Sequence, residues 1–346
     1  MGKKQICVGG VLIGGGAPVS VQSMTNTKTE NVEATVAQIR RLEKAGCDIV
    51  RLAVPTMEAA AALERIRQQV SIPLVADIHF DYRLAIAAAE AGADKIRINP
   101  GNIGGADRVK AVVDVCRRKG LPIRIGVNGG SLEREILAKY GGVTPEALLE
   151  SAMGHVRLLN RFDFDDICIS VKSSDVPLNI ASYRLLARET DYPLHLGVTE
   201  AGTEYMGIIK SAAGIGTLLS EGIGDTVRVS LTADPEREVV AGVSLLKALG
   251  LRSGGVNIIS CPTCGRTKID LIAIASQAEA RLASCKKDIT VAIMGCAVNG
   301  PGEAARADYG IAGGDGEGVV FRKGKILKKV PMERLLDALM EEIERD

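Results

Sequence analysis

Eight times in the first 250 residues, a short run of β-branched and apolar residues gives way to a loop and then to an Ala/Leu/Glu/Arg-rich stretch. Nothing else in the chain narrows the fold so far. The pattern predicts strands near Val19–Ser23, Asp48–Val54, Leu74–Ile78, Lys95–Asn99, Ile123–Asn128, Ile167–Lys172, Leu194–Val198 and Thr226–Ser230. It predicts helices near Thr29–Ala45, Met57–Gln69, Asp81–Ala91, Ala106–Lys119, Thr144–Arg161, Val176–Glu189, Ser211–Ser220 and Pro235–Leu249. Near-continuous apolar strands alternating with helices indicate a parallel sheet covered by helices. Eight such units in this length fit a closed (β/α)8 TIM barrel, with an open doubly wound sheet as the alternative. Gly14-Gly15-Gly16 is followed by no helix, so it is not a dinucleotide fingerprint.

The pattern changes around Arg252–Val256, where Ser253-Gly254-Gly255 reads as a short linker. Residues 1–252 are therefore expected to form the barrel, and 253–346 a small α+β domain with a helix near Lys268–Ala283, a strand near Thr290–Met294 and a final helix near Pro331–Ile343. A chain of 346 residues suits two domains, and 46% hydrophobic content supports full cores. The apolar runs are too short to span a bilayer. Met1-Gly-Lys-Lys-Gln-Ile opens no apolar stretch of signal-peptide length, so a cytoplasmic location is expected. A net charge of +1 gives no footprint for nucleic acid. With 3% aromatic residues and no Trp, base-stacking platforms are not expected.

Active sites of such barrels lie at the C-terminal ends of the strands. Those ends are polar here. They carry Gln22 to Asn26, Arg51, Asp77 with His79, Arg97 with Asn99, Arg124 with Asn128, Ser170 with Lys172, Thr199-Glu200, and Arg228 with Ser230. Five cations fall on five strands, at Arg51, Arg97, Arg124, Lys172 and Arg228, and period-2 alternation puts each set on one face of its strand. Any one of them alone reads as an ion-paired residue. Together they exceed the nearby acids, Asp77 and Glu200, and buried cations need partners. The surplus points to an external anion, and several converging cations suit a diphosphate. Asp77 and Glu200 could be acid–base groups, but counter-charges are the simpler reading. His79 could donate a proton, bind metal or pack. His195 and His155 read as structural.

The last domain carries Cys261 and Cys264 in C-P-T-C-G-R and Cys296 in M-G-C-A-V-N-G-P-G-E. Two thiolates at C-x2-C spacing can hold one metal centre from a single tight turn. A fourth cysteine in like context is missing, and the nearest hard ligand after Cys296 is Glu303. Structural zinc would close the set with Cys285, but Cys285 lies at the end of a helical stretch without a Gly/Pro turn. An iron–sulfur cluster with three cysteines and one weaker ligand accounts for the pattern better. Cys7, Cys47, Cys116 and Cys168 read as small apolar fillers. The competing readings are a non-redox barrel enzyme on a phosphorylated or pterin-type substrate with structural zinc, and a metal-bound interaction module on an inactive barrel.

Several long strings carry a resemblance. They are V-Q-S-M-T-N-T from Val21, V-A-D-I-H-F-D-Y-R from Val75, R-I-N-P-G-N-I-G from Arg97 and I-R-I-G-V-N-G-G-S-L-E from Ile123. H-L-G-V-T-E-A-G from His195, G-I-G-D-T-V-R-V-S-L from Gly222, C-P-T-C from Cys261 and I-M-G-C-A-V-N-G-P-G-E from Ile293 continue them in order. The chain resembles the 4-hydroxy-3-methylbut-2-enyl diphosphate synthase family of the methylerythritol phosphate route to isoprenoids, in its shorter bacterial form. It departs at Gly129-Gly130, where Ala-Gly is usual, and at Cys168.

The resemblance implies reductive opening of 2-C-methylerythritol 2,4-cyclodiphosphate to the linear allylic diphosphate. It implies a [4Fe–4S] cluster held by Cys261, Cys264, Cys296 and Glu303. It places Arg51, Arg97, Arg124, Lys172 and Arg228 on the diphosphate, with Asn128 and Ser230 beside them. Glu200 would protonate the departing hydroxyl, and His79, Asp77 and Asn99 would be secondary contacts. It also implies flavodoxin or ferredoxin as electron donor, and a homodimer whose active site is shared between subunits.

Overall fold

The computed structural model describes residues 3–283, 285–296, 302 and 304–345. The chain divides into two compact units, Met1–Arg252 and Ser253–Asp346.

The first unit opens with an antiparallel hairpin, β1 (Gln5–Val8) and β2 (Val11–Gly14). Eight strands follow: β3 (Ser20–Met24), β4 (Ile49–Ala53), β5 (Leu74–Asp77), β6 (Lys95–Ile98), β7 (Ile123–Asn128), β8 (Ile167–Lys172), β9 (His195–Leu196) and β10 (Thr226–Val227). Their order is β8-β7-β6-β5-β4-β3-β10-β9, and every pairing is parallel. A parallel bridge from Ile169 to Leu194 joins β8 to β9, with the Ile169 N–H donating to Pro193 O at 2.9 Å. The sheet returns on itself as a (β/α)8 barrel, not an open sheet.

Local chemistry sets the helix ends. The side chains of Asn31, Thr56, Asp81, Thr144 and Asp175 each accept a backbone N–H two or three residues on, so five helices start on a capped donor. The hairpin does different work. Ile6, Val8 and Ile13 pack on Ile49, Val75 and Cys168, which lie at the first or second position of their strands. The hairpin therefore floors the barrel at the end opposite the polar strand ends.

Three expectations need correction. The strands predicted to Val198 and Ser230 stop at Leu196 and Val227. Beyond them the backbone leaves the ladder, and the Leu231 N–H bonds to a carboxylate oxygen of Glu238 instead, at 2.9 Å. The helix predicted from Ser211 begins at Glu204. Gly207 hides its first turns in the sequence, and its lack of a side chain lets Leu231 pack against the helix, since a Cβ there would meet Leu231 Cδ2 at 2.5 Å. Short helices at Pro100–Ile103 and Arg134–Tyr140 lie where loops were predicted.

The second unit is α+β. Its sheet has the order β11 (Val256–Ser260), β12 (Ile289–Met294), β13 (Tyr309–Ala312), β14 (Glu317–Arg322) and β15 (Lys325–Pro331). The first three are parallel and the last three antiparallel. Helices Leu271–Leu282 and Leu335–Arg345 bury Leu271, Leu282, Leu335 and Leu339 against Val291, Ile293, Ile311 and Val320. The other side packs Ala292, Met294, Ala312 and Phe321 with Ala304 and Ala307. Among the described residues no helix is long and apolar enough to cross a membrane.

Candidate active site

A cavity at the C-terminal ends of the barrel strands is lined by Met24, Arg51, Asp77, His79, Arg97, Arg124, Asn128, Ser170, Lys172, Thr199, Arg228 and Ser230. Strand alternation delivers them: Arg124 and Asn128 from β7, and Ser170 and Lys172 from β8, share a face. Every expected substrate contact lines this cavity except Asn99. That side chain caps the helix Pro100–Ile103, accepting from Gly101 N at 3.1 Å and donating to Ser131 Oγ at 3.4 Å. Glu200 is exposed and does not line the cavity, although its neighbour Thr199 does. Its backbone is left-handed, with φ of 52°.

The five cations are served unequally. Asp77 is shared: Arg97 Nη1 lies 3.1 Å from one oxygen, while Arg51 Nε at 3.8 Å and His79 Nε2 at 3.3 Å face the other. Burial raises the Asp77 pKa, but the Arg51 charge, the His79 hydrogen bond and the Arg97 charge outweigh it and hold the carboxyl well below the usual range. Asp77 is thus a fixed counter-charge. Arg51 also points Nε and Nη2 at the Met24 thioether, at 3.0 and 2.8 Å. Arg228 pairs with Glu238 at 3.3 Å. Arg124 reaches only Ser170 Oγ, at 3.1 Å, and its Nε and Nη2 are buried without a partner. Lys172 pairs with no acid among the described residues. Burial pushes its ammonium well down, and Arg124, Arg228, Arg51 and Arg97 push the same way. Arg124 is lowered to about 10, first by burial and then by Arg97.

Two glycines make room for this cluster. A Cβ at Gly126 would stand 2.6 Å from Arg97 Nε, and one at Gly197 would stand 2.5 Å from Lys172 Nζ and 2.8 Å from Arg228 O. Gly197→Ala is expected to displace Lys172 and weaken inorganic pyrophosphate binding about tenfold without unfolding the barrel. Calorimetric titration checks this, and parent-like affinity would refute it.

Deeper in the barrel, Lys95 and His195 are fully buried with side-chain nitrogens lacking any partner. Burial takes Lys95 to about 8. Burial, then Arg124 and Lys172, drive His195 well below its ordinary value, so the imidazole is neutral and structural. His155 sits on helix Pro145–Asn160 against Glu133 at 3.0 Å, away from the mouth. Sequence reasoning passed over Met24 and Ser170 as contacts and missed Glu238 altogether. An acid in the first turn of a helix reads as a solvated dipole partner.

In the second unit, β11 and β12 are parallel neighbours, with Ser260 opposite Ile293. Cys261 and Cys296 leave the same end of adjacent strands. The Cys261 sulfur accepts the Gly295 N–H at 3.1 Å, tying the C-P-T-C turn to the residue before Cys296. The exposed Cys264 thiol is lowered by the Arg266 backbone N–H, then by hydrogen bonds from the Arg266 side chain and Thr267. Cys285 packs on the apolar core, four residues before β12 begins, at the opposite end of the sheet from Cys296. That separation counts against a zinc site closed by Cys285. Among the described residues no group of three or more His, Cys, Asp or Glu is gathered ready to hold a metal, and Glu303 lies outside the described residues. In donor type, in the departure of Cys261 and Cys296 from the same end of neighbouring strands and in the N–H groups aimed at the Cys261 and Cys264 sulfurs, the three cysteines fit an iron–sulfur group.

The family model described as the GcpE TIM-barrel domain matches residues 3–243, and that of the GcpE protein C-terminal domain matches 257–345. A protein of Caldanaerobacter subterraneus subsp. tengcongensis is 61% identical over 342 residues, covering 99% of this chain and 96% of that protein. Relatives from Clostridium perfringens and Geobacter sulfurreducens are 60% and 58% identical, each over 99% of this chain and 98% and 97% of theirs. All three bear the name 4-hydroxy-3-methylbut-2-en-1-yl diphosphate synthase (flavodoxin). Among solved structures, dihydropteroate synthase of Xanthomonas albilineans aligns with a TM-score of 0.50 at 16% identity, over 71% of this chain and 97% of its own. Type I 3-dehydroquinate dehydratase of Clostridium difficile aligns at 0.51 and 17%, over 71% and 99%. Likeness of that degree shows the barrel fold alone. With both units matched in order and whole-length relatives more than half identical, the chain belongs to the GcpE family.

Proposed function

We propose that this chain catalyses the reductive ring opening and dehydroxylation of 2-C-methyl-D-erythritol 2,4-cyclodiphosphate to 4-hydroxy-3-methylbut-2-enyl diphosphate, an oxidoreductase step of isoprenoid biosynthesis. The observation that carries this reading is the barrel mouth, where five cations converge and Arg124 and Lys172 have no acid among the described residues. The name carried by the whole-length relatives agrees with it.

The reaction consumes two electrons and one proton, turning the cyclic diphosphate dianion into the linear diphosphate trianion and water. It breaks a carbon–oxygen bond of the cyclic diphosphate, expels a hydroxyl as water and leaves a linear diphosphate. Ring opening frees a further anionic phosphate oxygen, so the bound anion grows more negative as the reaction proceeds. Unpaired Arg124 and Lys172 stand where that charge is met, and an interaction strengthened late lowers the barrier. Arg51 and Arg97, held on Asp77, and Arg228, held on Glu238, orient the diphosphate, with Asn128 and Ser230 beside them. His79 is a secondary contact at the rim, and Asn99 supports the adjoining loop. Glu200 is assigned the proton for the departing hydroxyl. When bound, a [4Fe–4S] cluster supplies the electrons one at a time. Cys261, Cys264 and Cys296 would hold it with Glu303, whose carboxylate is a harder and more exchangeable ligand than a thiolate.

The electron donor is taken to be a flavodoxin, on the relatives' names, with ferredoxin as the other candidate. The homodimer with a shared active site rests on the family resemblance, and the cytoplasmic location on the sequence reading. Anaerobic reconstitution followed by assay with the cyclodiphosphate and a chemical reductant tests the function. About four iron and four sulfide per chain, with formation of the linear diphosphate, are expected. Colourless protein holding one tight zinc and giving no product would overturn it.

The charge pattern also predicts a pH dependence. The cyclodiphosphate keeps its charge across the neutral and alkaline range, so the protein sets the trend. Lys172 must be protonated to bind it, and its proton affinity is lowered in the fold. Affinity is therefore expected to fall with rising pH at values below those where an ordinary lysine titrates. Lys172→Arg should flatten the profile, because guanidinium stays charged. A parent profile flat to pH ~10, where a free lysine titrates, would refute the assignment.

A further inference from the structure

Arg228 and Ser230 both line the mouth, yet neither lies in a regular strand, because β10 ends at Val227. Ladder hydrogen bonds do not fix this segment. Beyond Arg228 N–H to Leu196 O, at 3.0 Å, and Thr232 N–H to Gly202 O, at 2.9 Å, its support comes from one side chain. Glu238, in the first turn of helix Pro235–Ala248, is 4% exposed. One of its oxygens accepts the Leu231 N–H at 2.9 Å. The other accepts Arg228 Nε at 3.4 Å, Arg228 Nη2 at 3.3 Å and the Ser23 hydroxyl at 3.3 Å.

We infer that Glu238 is a positioning residue for the anion site: from behind the barrel wall it fixes both the Arg228 guanidinium and the backbone carrying Ser230. The inference rests on reading the mouth as a diphosphate site. Its physical ground is twofold. A buried carboxylate is tolerated only when paired and hydrogen-bonded, and this one is. Arg228 would otherwise be free to turn away from Arg51 and Lys172, which repel it. The pairing distances of 3.3 to 3.5 Å are long for a charge-assisted bond, and Nη1 stays outside the pair. The guanidinium is held without being used up, so it retains donors for an anion. Asp77 serves Arg51 and Arg97 in the same way from inside the cavity.

Glu238→Gln tests this. Its carbonyl can still accept the Leu231 N–H, while its amide nitrogen faces Arg228. The dissociation constant of inorganic pyrophosphate on the cluster-free chain and the KM for the cyclodiphosphate are expected to rise about tenfold, with kcat changed less than about threefold. Iron content should stay at the parent value, the melting temperature should fall but leave the chain folded at the assay temperature, and Glu238→Asp should recover part of the affinity. In an Arg228→Met background, Glu238→Gln should add nothing to the loss of pyrophosphate binding, because the two residues act as one unit. Parent-like pyrophosphate binding in Glu238→Gln, or losses that multiply in the double variant, overturns the inference. If the parent chain binds neither pyrophosphate nor cyclodiphosphate, the diphosphate reading of the mouth falls with it.

Discussion

Cys261→Ser is expected to fold as the parent does, to lose its iron and sulfide, and to drop to less than about one-thousandth of parent turnover. Its sulfur accepts the Gly295 N–H at 3.1 Å, which ties the C-P-T-C turn to the residue before Cys296. A serine oxygen could keep that hydrogen bond, so the local turn should survive. It could not replace a soft thiolate on iron. The matched control is Cys285→Ser. Cys261 and Cys285 both pack on the same apolar cluster, but Cys285 precedes β12 by four residues and so lies at the opposite end of that strand from Cys296, and its loss should spare both iron and turnover. Iron analysis and anaerobic turnover decide the matter. Full iron in Cys261→Ser, or loss of iron in Cys285→Ser, would sink the proposed ligand set and revive a zinc centre.

The barrel was legible because two periodicities agree. Strands such as Ile167–Lys172 are buried on both faces and read as apolar runs, while helices such as Ala106–Lys119 keep a 3.6-residue period. The cations were legible for a related reason. R-I-N and I-R-I-G-V-N alternate with period two, so their facing could be assigned before their depth was known. The floor hairpin escaped notice because each of its strands has four residues, although the Gly9-Gly10 turn between two short apolar runs was a usable signal. Strand alternation and the family resemblance both put Asn99 at the mouth. Its competing preference, an Asn accepting a backbone N–H ahead of Pro100, won. Glu238 could not be found from local sequence. Its neighbours E-R-E-V-V look like a solvated first turn, and only the path of residues 228–231 makes it a buried partner.

Glu200→Gly should separate catalysis from stability at the mouth. Three described non-glycine residues adopt positive φ: Asp163, Glu200 and Lys323. Asp163 stands in a turn ahead of β8, at the opposite end of that strand from Lys172, and Lys323 in the turn between β14 and β15, whereas Glu200 follows Thr199, which lines the cavity. A glutamate in the left-handed region costs of order 1 kcal/mol relative to glycine. Nothing in the packing demands that side chain, since it is exposed. That cost, beside a residue that lines the cavity, is the ground for testing Glu200 as the proposed proton donor. Glu200→Gly is therefore expected to hold or raise the melting temperature while turnover falls about a thousandfold, within the usual range for losing a general acid. Cluster content should be unchanged. Glu200→Gln, which keeps shape and loses the proton, should fall nearly as far. If the glutamine variant turns over within tenfold of the parent, Glu200 supplies charge or geometry and not the proton, and the acid must be sought among the groups that line the cavity, beginning with His79.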